Sequence, residues 1–213
     1  MNFCTRFSAK SADLEERLAD RQAKLSTAQD HRTEKLHQRR ADRDDRLQKV
    51  RTDSDEHHSE QFSKLESKAT TDAQKAAVAA FETAVRAAID ARRAAIDVAM
   101  KAFRDGLAPL VAAHQASITG IAATYRAAVD AAVAKAKSDC DAGVAPATAR
   151  ATFQAAMKAA KDKMQADRQA LEKLGPQAEA LAKARNAAVK KAIDDFKAAM
   201  EKARADLKIA LGK

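Results

Sequence analysis

The fold is decided by residues 76–102, which read AAVAAFETAVRAAIDARRAAIDVAMKA. Alanine has the highest helix propensity of all residues, and most of the others here are also good helix formers. Larger apolar side chains recur at intervals of eleven residues, as Val78, Ile89 and Met100 do. Because eleven residues make three helical turns, such side chains share one face of a helix. The stretch therefore predicts a long amphipathic helix.

The same composition extends through most of the chain. Alanine occurs 7 times in residues 1–70 and 48 times in residues 71–213. All five glycines and all three prolines lie beyond residue 105, so the first half has no strong helix breaker. No segment shows the alternation of β-branched and polar residues that marks a strand. We predict an all-α protein.

Composition also excludes several functional classes. Only 4% of the 213 residues are aromatic, and no tryptophan occurs, which leaves few rings that could stack on bases. No run of 18 apolar residues is present, and the first residues lack the apolar segment of a signal peptide. We expect a soluble chain whose compartment the sequence leaves open.

Cys4 and Cys140 stand far apart and predict neither a disulfide framework nor a cysteine zinc site.

A shift in composition near residue 70 predicts three regions: a flexible terminus over 1–10, a charged helical arm over 11–70 and an Ala-rich bundle over 71–213. The arm has few apolar residues, but four leucines recur every eleven positions. One leucine in three turns cannot bury a core, so we predict that the helix either stands free or pairs weakly through this line, with self-association as the favoured outcome. Partial disorder of the arm is the alternative. The line consists of Leu14, Leu25, Leu36 and Leu47.

Glycine–proline patterns divide the bundle. Thr71 and Gln74 fit a capping box at its start. A Gly-apolar-Ala-Pro pattern at 106–109 and again at 143–146, and Gly-Pro at 175–176, predict turns between antiparallel helices. The predicted four helices are 72–105, 109–142, 146–174 and 177–211. The eleven-residue phase nevertheless continues through 106–109, so 72–139 as one kinked helix, in a three-helix bundle, is the alternative.

Charge is the second functional signal. The net charge is +9, and residues 141–213 contribute +6 of it. In the last helix, basic residues recur every seven positions beside the apolar seam, and they predict a surface for a polyanion or an anionic surface. These residues are Lys183, Lys190, Lys197 and Arg204. The residues favour a second interpretation, in which such rows, with the aspartates of a repeated Arg-Ala-Ala-(Ile/Val)-Asp motif, pair across helices and fix their register. Those aspartates are Asp90, Asp97 and Asp130.

Residues that could support chemistry are scattered. Glu34 and His37 form one Glu-x-x-His pair, whereas a di-metal bundle needs two such pairs and further carboxylates. No nucleophile lies in a glycine-framed turn, and no phosphate-binding loop occurs. We therefore predict no catalytic, cofactor-binding or metal-binding residue, and a protein that is not an enzyme. Without interleaved aromatics we expect no sequence-specific binding of nucleic acid.

The Lys- and Ala-rich composition of the last 140 residues resembles that of heparin-binding adhesins and of the phasins that coat storage granules. The resemblance lies in composition, so no residue role is carried over. Three functions remain: a self-associating structural or interaction protein, which the residues favour, a polyanion-binding module, and an amphipathic protein that coats a lipid or polymer surface.

Overall fold

A computed structural model describes residues 2–171 and 173–212 of the chain. The four helices in this part are α1 (Phe3–Glu66), α2 (Asp72–Asp141), α3 (Pro146–Ala170) and α4 (Gly175–Ala210). No strand occurs among the described residues. The all-α class predicted from composition is therefore confirmed.

The contacts divide the chain into two compact units that differ from the regions of the composition. Unit 1 consists of residues 1–37 and 110–174, and unit 2 of residues 38–109 and 175–213. Each unit thus takes one segment of α1, one segment of α2 and one further helix. The predicted boundary at residue 70 falls in the turn between α1 and α2. The two long helices pack against each other in each unit, which a division by composition could not anticipate.

In unit 1, the core lies at the end where α1 begins and α2 ends. Phe7 is buried with Val129 and Val133 of α2, and Phe153 of α3 packs against this cluster. The ring centroids of Phe7 and Phe153 are 5.0 Å apart. The segment predicted to be a flexible terminus is therefore helical from Phe3 onward. Its aromatic side chains hold it in place, because large apolar groups removed from water stabilise the helix that carries them.

A disulfide fastens the same end of unit 1. The Sγ atoms of Cys4 and Cys140 are 2.04 Å apart, and 136 positions separate the two residues in the sequence. The expectation that the cysteines form no disulfide was wrong. It depended on the distance between the two cysteines in the sequence, whereas the antiparallel packing of α1 on α2 brings the start of one helix to the end of the other. Further along α1, the side-chain contacts show the same antiparallel direction. Lys137 donates to Glu15, and Arg126 donates to Gln22.

Unit 2 has its own core near the end of α1. Phe62 is buried with Val85 and Ile89 of α2 and with Ala203 of α4. Arginine side chains cover the aromatic rings at its edge. The guanidinium of Arg92, for example, lies 4.1 Å from the ring centroid of Phe196, a geometry that adds a cation–π attraction to apolar burial.

The predicted turn at 106–109 was wrong, since α2 runs unbroken from Asp72 to Asp141 with Pro109 inside it. The alternative of one continuous helix is the one observed. Gly106 does not end the helix and has a packing role instead. A Cβ atom at this position would lie 2.8 Å from Cδ2 of Leu181, so glycine allows α4 to approach α2 closely in unit 2.

The matching pattern at 143–146 does end a helix. Gly143 has φ 73°, in the left-handed region. The amide of Val144 donates to the carbonyl of Asp139, and the amide of Gly143 to that of Cys140. This pair of bonds is a Schellman motif, and Pro146 then begins α3. The capping box at the start of α2 is also observed, with the amide of Gln74 donating to Thr71 Oγ1.

The long helices bury little of their surface. In α1 the buried residues are Phe7, Ser11 and Phe62, and none lies between positions 12 and 61. The chain exposes 14841 Å², whereas two compact globules of half its mass would together expose about 11,600 Å². Most of α1 between its two buried ends therefore presents its side chains to solvent.

Candidate functional site

The structure separates the four leucines predicted to form a self-association line. Leu14 packs against the core of unit 1. Leu25 and Leu36, in the same unit, are 58% and 51% exposed, and Leu47 in unit 2 is 42% exposed. One leucine therefore contributes to the intramolecular core, while the other three retain a large share of their apolar surface in contact with water.

The predicted basic row on α4 is exposed but partly neutralised. Lys183 pairs with Glu179 and Lys190 with Asp194, in each case one helical turn away. The Asp194 carboxylate raises the pKa of Lys190, and in return Lys190 lowers the pKa of Asp194. Neither Lys197 nor Arg204 makes an ion pair among the described residues. Half of the row is thus compensated within its own helix.

Two bidentate ion pairs join α1 to α2 in unit 2. Arg51 donates to both carboxylate oxygens of Asp97, at 2.7 and 3.0 Å. Arg93 donates to both oxygens of Asp55, each at 2.8 Å. Each helix supplies an arginine and an aspartate four residues apart, so the antiparallel direction matches opposite charges. Asp97 was one of the aspartates for which pairing across helices was the favoured interpretation, and it does pair in this way.

These pairs perturb titration in the expected direction. The guanidinium of Arg93 lowers the pKa of Asp55 by hydrogen bonding, and Asp97 raises the pKa of Arg51 by the same means. Side chains of Arg51 and Arg93 are only 21% and 18% exposed, because the stems lie along the helix interface. Hydrogen bonds between ionised partners are about twice as strong as neutral ones. The two ion pairs thus fix the register of α1 on α2 in a part of the interface that has few buried apolar side chains.

Reversing one of these pairs tests its contribution to register. We expect Arg93→Asp to lower the urea midpoint of unfolding, because two carboxylates would then face each other across the interface. The double variant D55R/R93D restores opposite charges and should regain at least half of the lost midpoint. Equilibrium urea unfolding of both variants and of the unaltered chain provides the measurement. A double variant no more stable than R93D would show that the pair does not couple the helices.

A groove beside these pairs is lined by charges that already have partners. Arg104 donates to Asp44, which also accepts from Arg43, and Lys101 pairs with Asp105. Hydrogen bonds from the arginines lower the pKa of Asp44. The groove is open, and its apolar floor includes Leu47 and Met100. The lowered pKa keeps Asp44 ionised near neutral pH.

A second open groove, in unit 1, reflects the packing of small residues. It lies between α2 and α3, and three alanines from each helix line it: Ala128, Ala131, Ala132, Ala156, Ala159 and Ala160. Alanine permits close approach of two helices, which accounts for a shallow apolar channel along their seam. Alanines of α2 and α4 line a similar channel in unit 2. Both channels are consequences of helix packing.

The described residues contain neither a metal-site cluster nor a helix that could span a membrane. No cluster of three or more His, Cys, Asp or Glu side chains with the arrangement of a metal site occurs in residues 2–171 and 173–212. Within the same residues, no helix has the length and apolarity needed to cross a bilayer. Comparison with known proteins adds no relative: no family model, no curated protein and no solved structure matches the chain.

Proposed function

We propose that this chain is a non-enzymatic structural or interaction protein that self-associates through α1. The observation that carries the proposal is the exposure of Leu25, Leu36 and Leu47 on a helix whose other exposed side chains are mostly charged or polar. Isolated apolar residues on a surface are common. Three leucines of one helix at equal eleven-residue intervals are different, because this spacing aligns them for contact with another helix.

The low burial of α1 supports the same proposal. With no buried residue between positions 12 and 61, most of this helix is available to a partner. A second copy is the simplest partner, since it presents the same leucine spacing and both signs of charge. Burial of apolar side chains between two such helices would be the driving force, and the surrounding charges would select the register. The resulting contact would be a coiled coil with an eleven-residue repeat.

The proposed compartment is an oxidising one. The Cys4–Cys140 disulfide supports this location, because such bonds persist outside the reducing cytosol. A protein there could serve as a spacer or adaptor whose contacts depend on its surface. The open, alanine-lined grooves and the ion-paired acids favour such a role over catalysis.

Sedimentation velocity of the full chain tests self-association. At concentrations on the order of tens of micromolar, we expect a species larger than the monomer, since association depends on concentration. The variant L25Q/L36Q removes both exposed leucines of unit 1 and should sediment as a monomer. The matched control K24Q/K35Q alters the preceding exposed residues at the same spacing and should retain association.

The outcome that would contradict the proposal is equally simple. If the unaltered chain remains strictly monomeric over this concentration range, self-association through α1 is wrong. If L25Q/L36Q and K24Q/K35Q dissociate to the same extent, the contact is electrostatic and the leucines do not carry it. Far-UV circular dichroism of each variant establishes that helicity is retained.

A further inference from the structure

Unit 1 carries a group of exposed basic side chains without ion-pair partners. Four lie on α1 and three on α3: Lys10, Arg17, Arg21, Lys24, Arg150, Lys161 and Arg168. We call these seven residues the basic face. By contrast, the basic residues of α2 in unit 1 are paired: Arg126 with Asp130, Lys135 with Asp139 and Lys137 with Glu15. None of the seven forms an ion pair among the described residues.

Contacts of α1 place its four cations on the side of α3. Cys4, Glu15 and Gln22 bond to α2, whereas Phe3 packs against Phe153 of α3 on the opposite flank. At 100° per residue, the four α1 cations fall within about 60° of one another around the helix, on the flank of Phe3. They form one row, about 21 Å long at 1.5 Å per residue.

The three cations of α3 lie on the flank of that helix that faces away from its seam with α2. Ala156, Ala159 and Ala160 of α3 line the seam with α2, while Phe153 and Met157 pack toward the core cluster that contains Phe7. The α3 cations fall within about 20° of one another, beside Phe153 and Met157 and away from the α2 seam. Lys161 and Arg168 line a cleft with Met164 on this side. Because α1 and α3 both run antiparallel to α2 in unit 1, the two rows run parallel to each other on helices that are in contact near their starts through Phe3 and Phe153.

The geometry points to a binding surface for a linear acidic polysaccharide on the basic face of unit 1. Seven cations along about 20–27 Å of parallel helices create a positive field that a chain of regularly spaced sulfates or carboxylates can neutralise. Asp13 and Asp20 are the nearest α1 acids, and neither forms an ion pair with these cations within the described residues. The charge of the face is therefore available to an external ligand.

Two observations favour a polysaccharide over a nucleic acid. Single-stranded nucleic acids bind to exposed aromatic rings on which bases stack. In unit 1, Phe3, Phe7 and Phe153 pack against one another, and none of the three belongs to the exposed residues, so they do not form a row of open stacking platforms. The disulfide of the same unit favours an oxidising, extracytoplasmic setting, where acidic polysaccharides are accessible ligands.

The basic face also differs from the α4 row predicted from the sequence. Two of the four α4 residues are paired within their helix, whereas the seven residues of the basic face have no such partner. The α4 row was predicted because its basic residues recur at a regular interval of seven positions. The basic face has no single interval, since it is assembled from two helices that lie far apart in the sequence.

Binding to immobilised heparin, as a model sulfated polysaccharide, tests this inference on the full chain. The variant K10Q/R17Q/R21Q removes three charges from the basic face, and the matched control K183Q/K197Q/R204Q removes three from α4. We expect the first to lower affinity on the order of tenfold and to flatten the dependence of log K on log salt concentration by about two. The control should stay within about threefold of the unaltered chain.

Three results would overturn the inference. Absence of heparin binding at low salt would exclude the site, and equal losses in the two variants would show that net charge alone is responsible. If a DNA duplex displaced the chain from heparin as effectively as a heparin fragment of equal charge, polysaccharide specificity would be wrong. Thermal unfolding should be unchanged in both variants, since every altered side chain is exposed. The L25Q/L36Q variant should still bind heparin, which keeps this test separate from self-association.

Discussion

Removal of the disulfide by the double substitution C4S/C140S is expected to lower the free energy of unfolding by about 4–5 kcal/mol. The physical reason is the size of the loop that the bond closes. With 136 positions between the cysteines, the unfolded chain loses much conformational freedom when the bond is present. The apolar clusters of this protein are small, so the loss is a large fraction of its total stability.

Urea unfolding with and without a phosphine reductant measures the effect. The reductant should destabilise the unaltered chain by the same amount as C4S/C140S does, and it should leave the double variant unchanged. Hydrogen exchange should show the largest increase in the first turns of α1, because Cys4 anchors them next to Phe7. Two titratable thiols in the denatured, unreduced protein would contradict the bond itself.

Substitution of Phe62 with alanine is expected to cost about 3–5 kcal/mol in unit 2. Phe62 is 7% exposed and joins α1 to Val85, Ile89 and Ala203. Its ring meets that of Phe81 edge-on at 6.1 Å, and the guanidinium of Arg86 lies over it. No other residue of α1 beyond position 12 is buried, so neighbouring side chains cannot replace these contacts.

A graded series separates loss of packing from general damage. Phe62→Leu keeps most of the buried apolar volume and should cost clearly less than Phe62→Ala in urea unfolding. Hydrogen exchange resolved by peptide should place the loosened amides in unit 2, near the end of α1 and the end of α4. Equal effects of the two substitutions, or a loss of less than about 1 kcal/mol for F62A, would show that this cluster does not hold α1.

The sequence was most informative about local structure. Alanine content predicted the helices, and the signals at Thr71 and Gly143 are observed as a capping box and a Schellman motif. The Gly-apolar-Ala-Pro pattern at 106–109 led to the wrong prediction of a turn. Glycine and proline favour a turn locally, whereas the packing of this segment favours a continuous helix. In α2 the apolar face continues through this segment, and Gly106 faces Leu181. Packing against α4 therefore decided between a turn at 106–109 and one continuous helix, the two alternatives that the sequence left open.

Long-range contacts could not be predicted from composition. Alanine content divides the sequence at residue 70 and so assigns α1 and α2 to different regions. That division gave no reason to expect that the two helices pack antiparallel, or that Cys4 lies next to Cys140. The clue was present in the Phe3 to Phe7 segment, whose aromatic residues are unusual in so charged a region. The basic face was missed for a related reason, since its seven residues come from two helices that lie far apart in the sequence.

The disulfide has a topological consequence for proteolysis. It converts residues 4–140 into a covalent ring that contains nearly all of α1 and α2. A protease that cuts the exposed turn after Glu66 would open this ring without releasing a fragment, and the nicked molecule would keep its mass until a thiol reagent separated the pieces.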